Sequence, residues 1–127
     1  MMFMIQSSKP RKQRYFRFNA PMHIRQNFVN VHISKELSAK LGIKKRSIEV
    51  RKGDTVKIMS GDNKGKLGKV TEVNLSNGKV SIEGVSNKNA KAKEKNIPIY
   101  ASNLYLIDID LADKIRNDDI GAIKAKK

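Results

Sequence analysis

The chain has no cysteine, which excludes disulfides, thiolate-bound zinc and thiol catalysis and fits a reducing compartment. Acidic residues are scarce: 12 Asp and Glu stand against 27 Lys and Arg, leaving +15 at pH 7. A field of that size opposes compaction and implies a polyanionic partner. Long apolar runs are missing too. The opening MMFMI is apolar over five residues, short of the roughly 7 to 15 of a signal-peptide core and the roughly 20 of a membrane span. Neither secretion nor membrane insertion is expected. With 127 residues, the chain has the length of about one domain.

What charge there is lies unevenly. Residues 1–52 carry 13 basic and two acidic side chains, net +11, while residues 53–90 and 91–127 carry +2 each. A merely solubilising surface would intersperse both signs. Within the basic block, QSSKPRKQRYFRFNA (6–20) has neither helical nor strand periodicity but sets Tyr15, Phe16 and Phe18 among Arg11, Lys12, Arg14 and Arg17. That mixture suits phosphate contact with stacking on bases or sugars, and such segments often fold only on binding. The same aromatics can also pin the arm to the core, and the two roles are compatible.

From Pro21 the pattern becomes regular. Pro21 opening a first turn, with Ile24 and Phe28 one turn apart, predicts a short helix near 21–28. Ser34 as cap, Glu36 in the first turn, Leu37 and Leu41 on one face and Gly42 as the stop predict a second. Beyond residue 50 the period is two: Val56 with Ile58, and Val80 with Ile82, alternate with polar residues. Val70 and Val73 break parity, which predicts a bulge. Asn77-Gly78 predicts a two-residue hairpin turn. SNKNAKAKEKN (86–96) reads as a polar loop, Leu104 to Ile109 as a last strand, and Asp110 as the cap of a short helix before a basic, frayed tail from Ile120. Short strands, tight turns and no crossover helices predict a mainly β protein built on a small barrel, with a basic N-terminal extension holding one or two short helices and a short C-terminal helix. The expected divisions are 1–50, 51–110 and 111–127.

The glycine-rich stretch RKGDTVKIMSGDNKGKLGKV (51–70) raises the question of a phosphate-cradling nucleotide loop. A Walker-type loop needs G-x-x-x-x-G-K-[ST] followed by a helix. Here Gly61 to Gly65 is one residue short, Lys66 precedes Leu67, and a strand pattern follows. Gly53, Gly61, Gly65, Gly68, Asn77 and Gly78 are expected to shape turns, while Lys64, Lys66 and Lys69 are free to approach phosphates.

Other constellations are weak. His23 and His32 lie nine apart without a carboxylate cluster, so packing or RNA contact is expected rather than metal. Asp108 and Asp110 share a strand face at a strand end, where a catalytic pair would also need a pocket. No enzyme activity, metal or cofactor is expected.

RKGDTVKIMSGDNKGKLGKVTEV resembles the KOW motif, a strand, loop and strand of ribosomal proteins and transcription elongation factors built on an SH3-like barrel. The flanking KPRKQRYFRFNAPMHIRQNFVNVHISKELSAKLG, IEGVSNKN and ASNLYLIDIDLADK resemble the archaeal and eukaryotic branch of the large-subunit ribosomal protein twenty-four family over about residues 9–117. The resemblance implies a cytoplasmic, structural constituent of the large subunit that is not a homo-oligomer. It implies binding to large-subunit rRNA, a role in early assembly, and a place near the nascent-chain tunnel exit beside other ribosomal proteins and nascent-chain factors. The expected backbone contacts are Arg11, Lys12, Arg14, Arg17, Arg25, Lys44, Lys45, Arg46, Lys64, Lys66 and Lys69, with stacking by Tyr15 and Phe16. The alternative is a KOW-containing transcription elongation or RNA-processing factor, which would join the barrel to another folded domain.

Overall fold

The computed structural model describes residues 5–125. The helices are α1 (Pro10–Asn19), α2 (Met22–Arg25, continued by a 3-10 turn over Gln26–Phe28), α3 (Lys35–Leu41) and α4 (Lys114–Ala125). The strands are β1 (Asn30–Ile33), β2 (Ser47–Glu49), β3 (Thr55–Ile58), β4 (Leu67–Asn74), β5 (Lys79–Lys88), β6 (Glu94–Tyr100) and β7 (Leu104–Asp108). They form one sheet in the order β2-β1-β7-β3-β4-β5-β6, all neighbours antiparallel except β1 with β7. The result is mainly β and barrel-like, as the alternating pattern predicts.

Period-two alternation decides which side chains are buried. Val31, Val56, Val80, Ile82 and Leu106 have no exposed surface, and their polar neighbours along each strand face out. Each such aliphatic side chain contributes about 1.5 to 3 kcal/mol of burial. The expected bulge is present: the β4–β5 register slips between Val70 and Glu72, so that Val70 is buried and Val73 still packs on the core despite their parity. Further slips at Thr55/Val56 and Ser81/Ser86 let the sheet coil around one cluster.

The predicted caps of α3 are both in place. Ser34 Oγ accepts the Leu37 N–H at 3.2 Å, and Gly42 ends the helix in the left-handed region at φ 65°.

Several expectations need correction. Residues 6–20 show no helical period, yet 10–19 are helical, because Pro10 starts the turn and Arg, Lys and Gln favour helix. No α1 residue is buried, so burial leaves no periodic trace to read. The block before residue 50 also holds two strands and eight core residues, Ala20, Val29, Val31, Ile33, Leu37, Ile43, Ile48 and Val50. NVHI and SIE are too short to display a period and are held by pairing with each other and with the distant β7.

The Asn77-Gly78 hairpin has a four-residue loop, 75–78, closed by the Asn74–Lys79 pair. Asn74 Oδ1 accepts the N–H groups of Ser76 and Asn77, and the Gly78 N–H bonds the Asn74 carbonyl at 2.9 Å. Only Gly78 then needs positive φ, at 66°; Asn77 does not adopt it. The stretch 86–96 is a hairpin extension, with Ser86, Asn87 and Lys88 paired to Asn96, Lys95 and Glu94. Both its faces are exposed, so nothing in it alternates.

At the C-terminus the cap of α4 is Asp113, whose Oδ1 accepts the Ile115 N–H at 3.0 Å, while Asp110 makes the same kind of turn earlier, accepting the Ala112 N–H at 3.0 Å. The helix continues through the expected tail to Ala125 and buries Ile120; Lys126 and Lys127 lie outside the described residues.

Candidate nucleic-acid interface

Arg11, Lys12, Arg14 and Arg17 are exposed along α1, which has no acidic residue in its first turn. Tyr15 is 72% exposed. Phe16 is half-buried and meets Phe28 edge-to-face at 6.4 Å, while the Arg17 guanidinium lies over the same Phe28 ring at 5.0 Å. The pinning role open to the arm's aromatics is therefore occupied by Phe16, whereas Tyr15 presents a free ring.

Arg25 reaches two elements at once. One guanidinium nitrogen donates to Ser76 Oγ at 3.2 Å, in the β4–β5 loop, and the other to the Phe18 carbonyl. Its Nε is buried without a partner. This side chain clasps the arm to the sheet. Lys44, Lys45 and Arg46 are exposed in the connector between α3 and β2.

Lys64 and Lys66 stand on the turn that joins β3 to β4, which is closed by the Gly65 N–H on the Ile58 carbonyl at 2.8 Å. Gly61 and Gly65 sit there at φ 94° and 88° with open space where a side chain would be. Lys66 Nζ is steadied by Asn63 Oδ1 at 2.9 Å. Lys69 lies elsewhere, within β4, lining a small recess with Asp108 and Asp110. Gly68 is likewise in a strand rather than a turn: a Cβ there would lie 2.6 Å from the Glu83 carbonyl oxygen and from Ile82 Cγ2.

The sequence offered no sign of one pair. Asp54 and Arg116 meet in the interior, with Nη1–Oδ1 and Nη2–Oδ2 distances of 2.5 and 2.7 Å. Asp54 also accepts the N–H groups of Arg51 and Asp110, and Arg116 donates to the carbonyls of Glu49 and Asp110. Charge pairing and these extra bonds offset the cost of burying both ions. Arg51 pairs with Asp113 at the surface. Among the described residues these are the only ion pairs, so the cations of the arm and of the β3–β4 turn keep their charge unneutralised. No group of His, Asp and Glu among the described residues is placed to hold a metal.

Fold and charge together define a small barrel-like protein carrying a cationic helical extension. Residues 7–122 match the family described as the eukaryotic ribosomal proteins L26 and their archaeal L24 counterparts, and the chain belongs to that family. It is similar to the large ribosomal subunit protein uL24 of Methanocella arvoryzae, at 49% identity over 89% of each chain. The uL24 of Methanothrix thermoacetophila is 47% identical over 87% of this chain and 93% of its own, and that of Pyrobaculum islandicum 44% over 87% and 88%. The family's role is structural rather than enzymatic.

Proposed function

We propose that the chain is a structural constituent of the cytoplasmic large ribosomal subunit and binds large-subunit rRNA through the α1 face and the β3–β4 turn. The observation that carries this reading is the set of unpaired cations on both elements: Arg11, Lys12 and Arg14 on a helix that buries nothing, and Lys64 and Lys66 on a turn whose backbone is open to close approach. Phosphate contacts supply sequence-independent affinity, and docking into folded RNA supplies shape specificity. Lys44, Lys45 and Arg46 extend the same field.

The role in early assembly, the place beside the tunnel exit, and the neighbouring ribosomal proteins and nascent-chain factors as partners rest on the family resemblance. No described helix is long and apolar enough to cross a membrane. Co-sedimentation with large subunits, in salt high enough to strip loosely associated factors, tests the proposal. Retention supports it; free sedimentation, or recovery with RNA polymerase, overturns it.

A further inference from the structure

The sheet carries a transverse row of outward side chains on five adjacent strands: Leu67, Lys57, Tyr105, His32 and Ser47. Each is the register partner of the next. Their neighbours along the strands, Val56, Leu106, Val31 and Ile48, point into the core, so alternation fixes the row on the outer face. At its centre the His32 and Tyr105 rings lie 5.9 Å apart with planes inclined by 53°, and Tyr105 is 37% exposed. Around them is a shallow recess of about 420 Å³, lined also by Lys35, Arg46, Lys57 and Met59. No carboxylate lines it, and none of its three cations is ion-paired among the described residues.

We infer that this recess binds one unpaired RNA nucleotide, its base packed against Tyr105 and His32 and its phosphates met by Lys35, Arg46 and Lys57. The inference rests on the RNA-binding reading above and adds to it a site on the outer face of the sheet, its rings and cations lying outside α1 and the β3–β4 turn. Three cations without an acid match a phosphate backbone. A base supplies the flat π-face that an exposed ring pair accommodates, whereas an acidic peptide would satisfy the lysines and leave the rings unused. A duplex keeps its bases stacked, so only a single-stranded or looped segment presents one. Sheet faces bearing aromatics with flanking cations are suited to this chemistry, because strands hold the rings at fixed spacing.

Binding of the full-length protein to two labelled RNAs tests the inference: an unstructured strand of about 10 nucleotides, within the span of a small barrel's groove, and a blunt duplex of equal length. Tyr105→Leu is expected to weaken single-strand binding by roughly 5- to 100-fold, the scale of losing one stacked base, and to leave duplex binding unchanged. Tyr105→Phe should behave as wild type. Lys57→Gln should lower the salt slope on the single strand by about 0.7, whereas Tyr105→Leu should not change it. In the unmutated protein, ring resonances of Tyr105 and His32 should shift with the strand and not with the duplex.

Equal loss on both RNAs, no loss on either, or ring resonances that answer only to an acidic peptide would each overturn this site alone. Wild-type protein that binds neither RNA would overturn the RNA-binding reading itself.

Discussion

Asp54 and Arg116, 62 positions apart, meet through two short hydrogen bonds with less than a tenth of either side chain exposed. The pair ties α4 to the start of β3, and its partners also bond backbone groups of Glu49, Arg51 and Asp110. Removing one partner strands the other charge in the interior. Arg116→Ala or Asp54→Ala is therefore expected to destabilise the protein by about 3 to 5 kcal/mol, read as a lowered urea midpoint. A change near zero would mean that the pair is solvated and α4 is not held by it.

Gly68 is needed for space rather than for its dihedral angles, since a Cβ would press on the Glu83 carbonyl of the neighbouring strand. Gly68→Ala should cost about 1 to 3 kcal/mol, because backbone on both sides must move. Thermal melting of the variant checks this. An unaltered melting temperature would show that β4 and β5 separate freely at that point.

The arm should be the least protected helical segment. α1 buries no residue fully and is held through Phe28 and Arg25, and a ten-residue helix with so little tertiary support is marginal in water. In RNA-free protein, amides before residue 20 are expected to exchange far faster than those of Val80 to Ile82. Strong protection before residue 20 would contradict both the expectation and the charge argument behind it.

Arg25 is expected to act chiefly by holding that arm. Arg25→Lys retains the charge but not the fork that reaches Ser76 and Phe18 together. The substitution should accelerate exchange and proteolysis around 15–20 while the salt slope of RNA binding stays at the wild-type value, without the drop of about 0.7 to 0.9 that losing one phosphate contact would give. A loss of slope with the arm still held would make Arg25 a phosphate contact instead.

Engaging about 6 to 10 phosphates should cost roughly 10³ to 10⁵ in affinity for isolated rRNA between 50 and 200 mM salt. Replacing Arg11, Lys12 and Arg14 together by Gln should reduce the slope by about 2 to 3. Filter binding across a salt series measures both, and a flat response would defeat the electrostatic account.

Elements whose causes are local were legible in the chain before any fold was known. Ser34 and Gly42 bound α3 because capping needs only neighbouring amides, and Val56, Ile58, Val80 and Ile82 sit inside because alternation maps directly onto the two faces of a strand. The charge of the arm and the exposure of Lys64 and Lys66 were readable for the same reason. Whatever depends on distant partners emerged only on folding. β1 and β2 exist through pairing with β7 and with each other, the 86–96 hairpin through backbone bonds that leave no hydrophobic trace, and Asp54 as an interior anion through an arginine far along the chain. The row from Leu67 to Ser47 is likewise a product of register, a relation between strands that no single segment encodes.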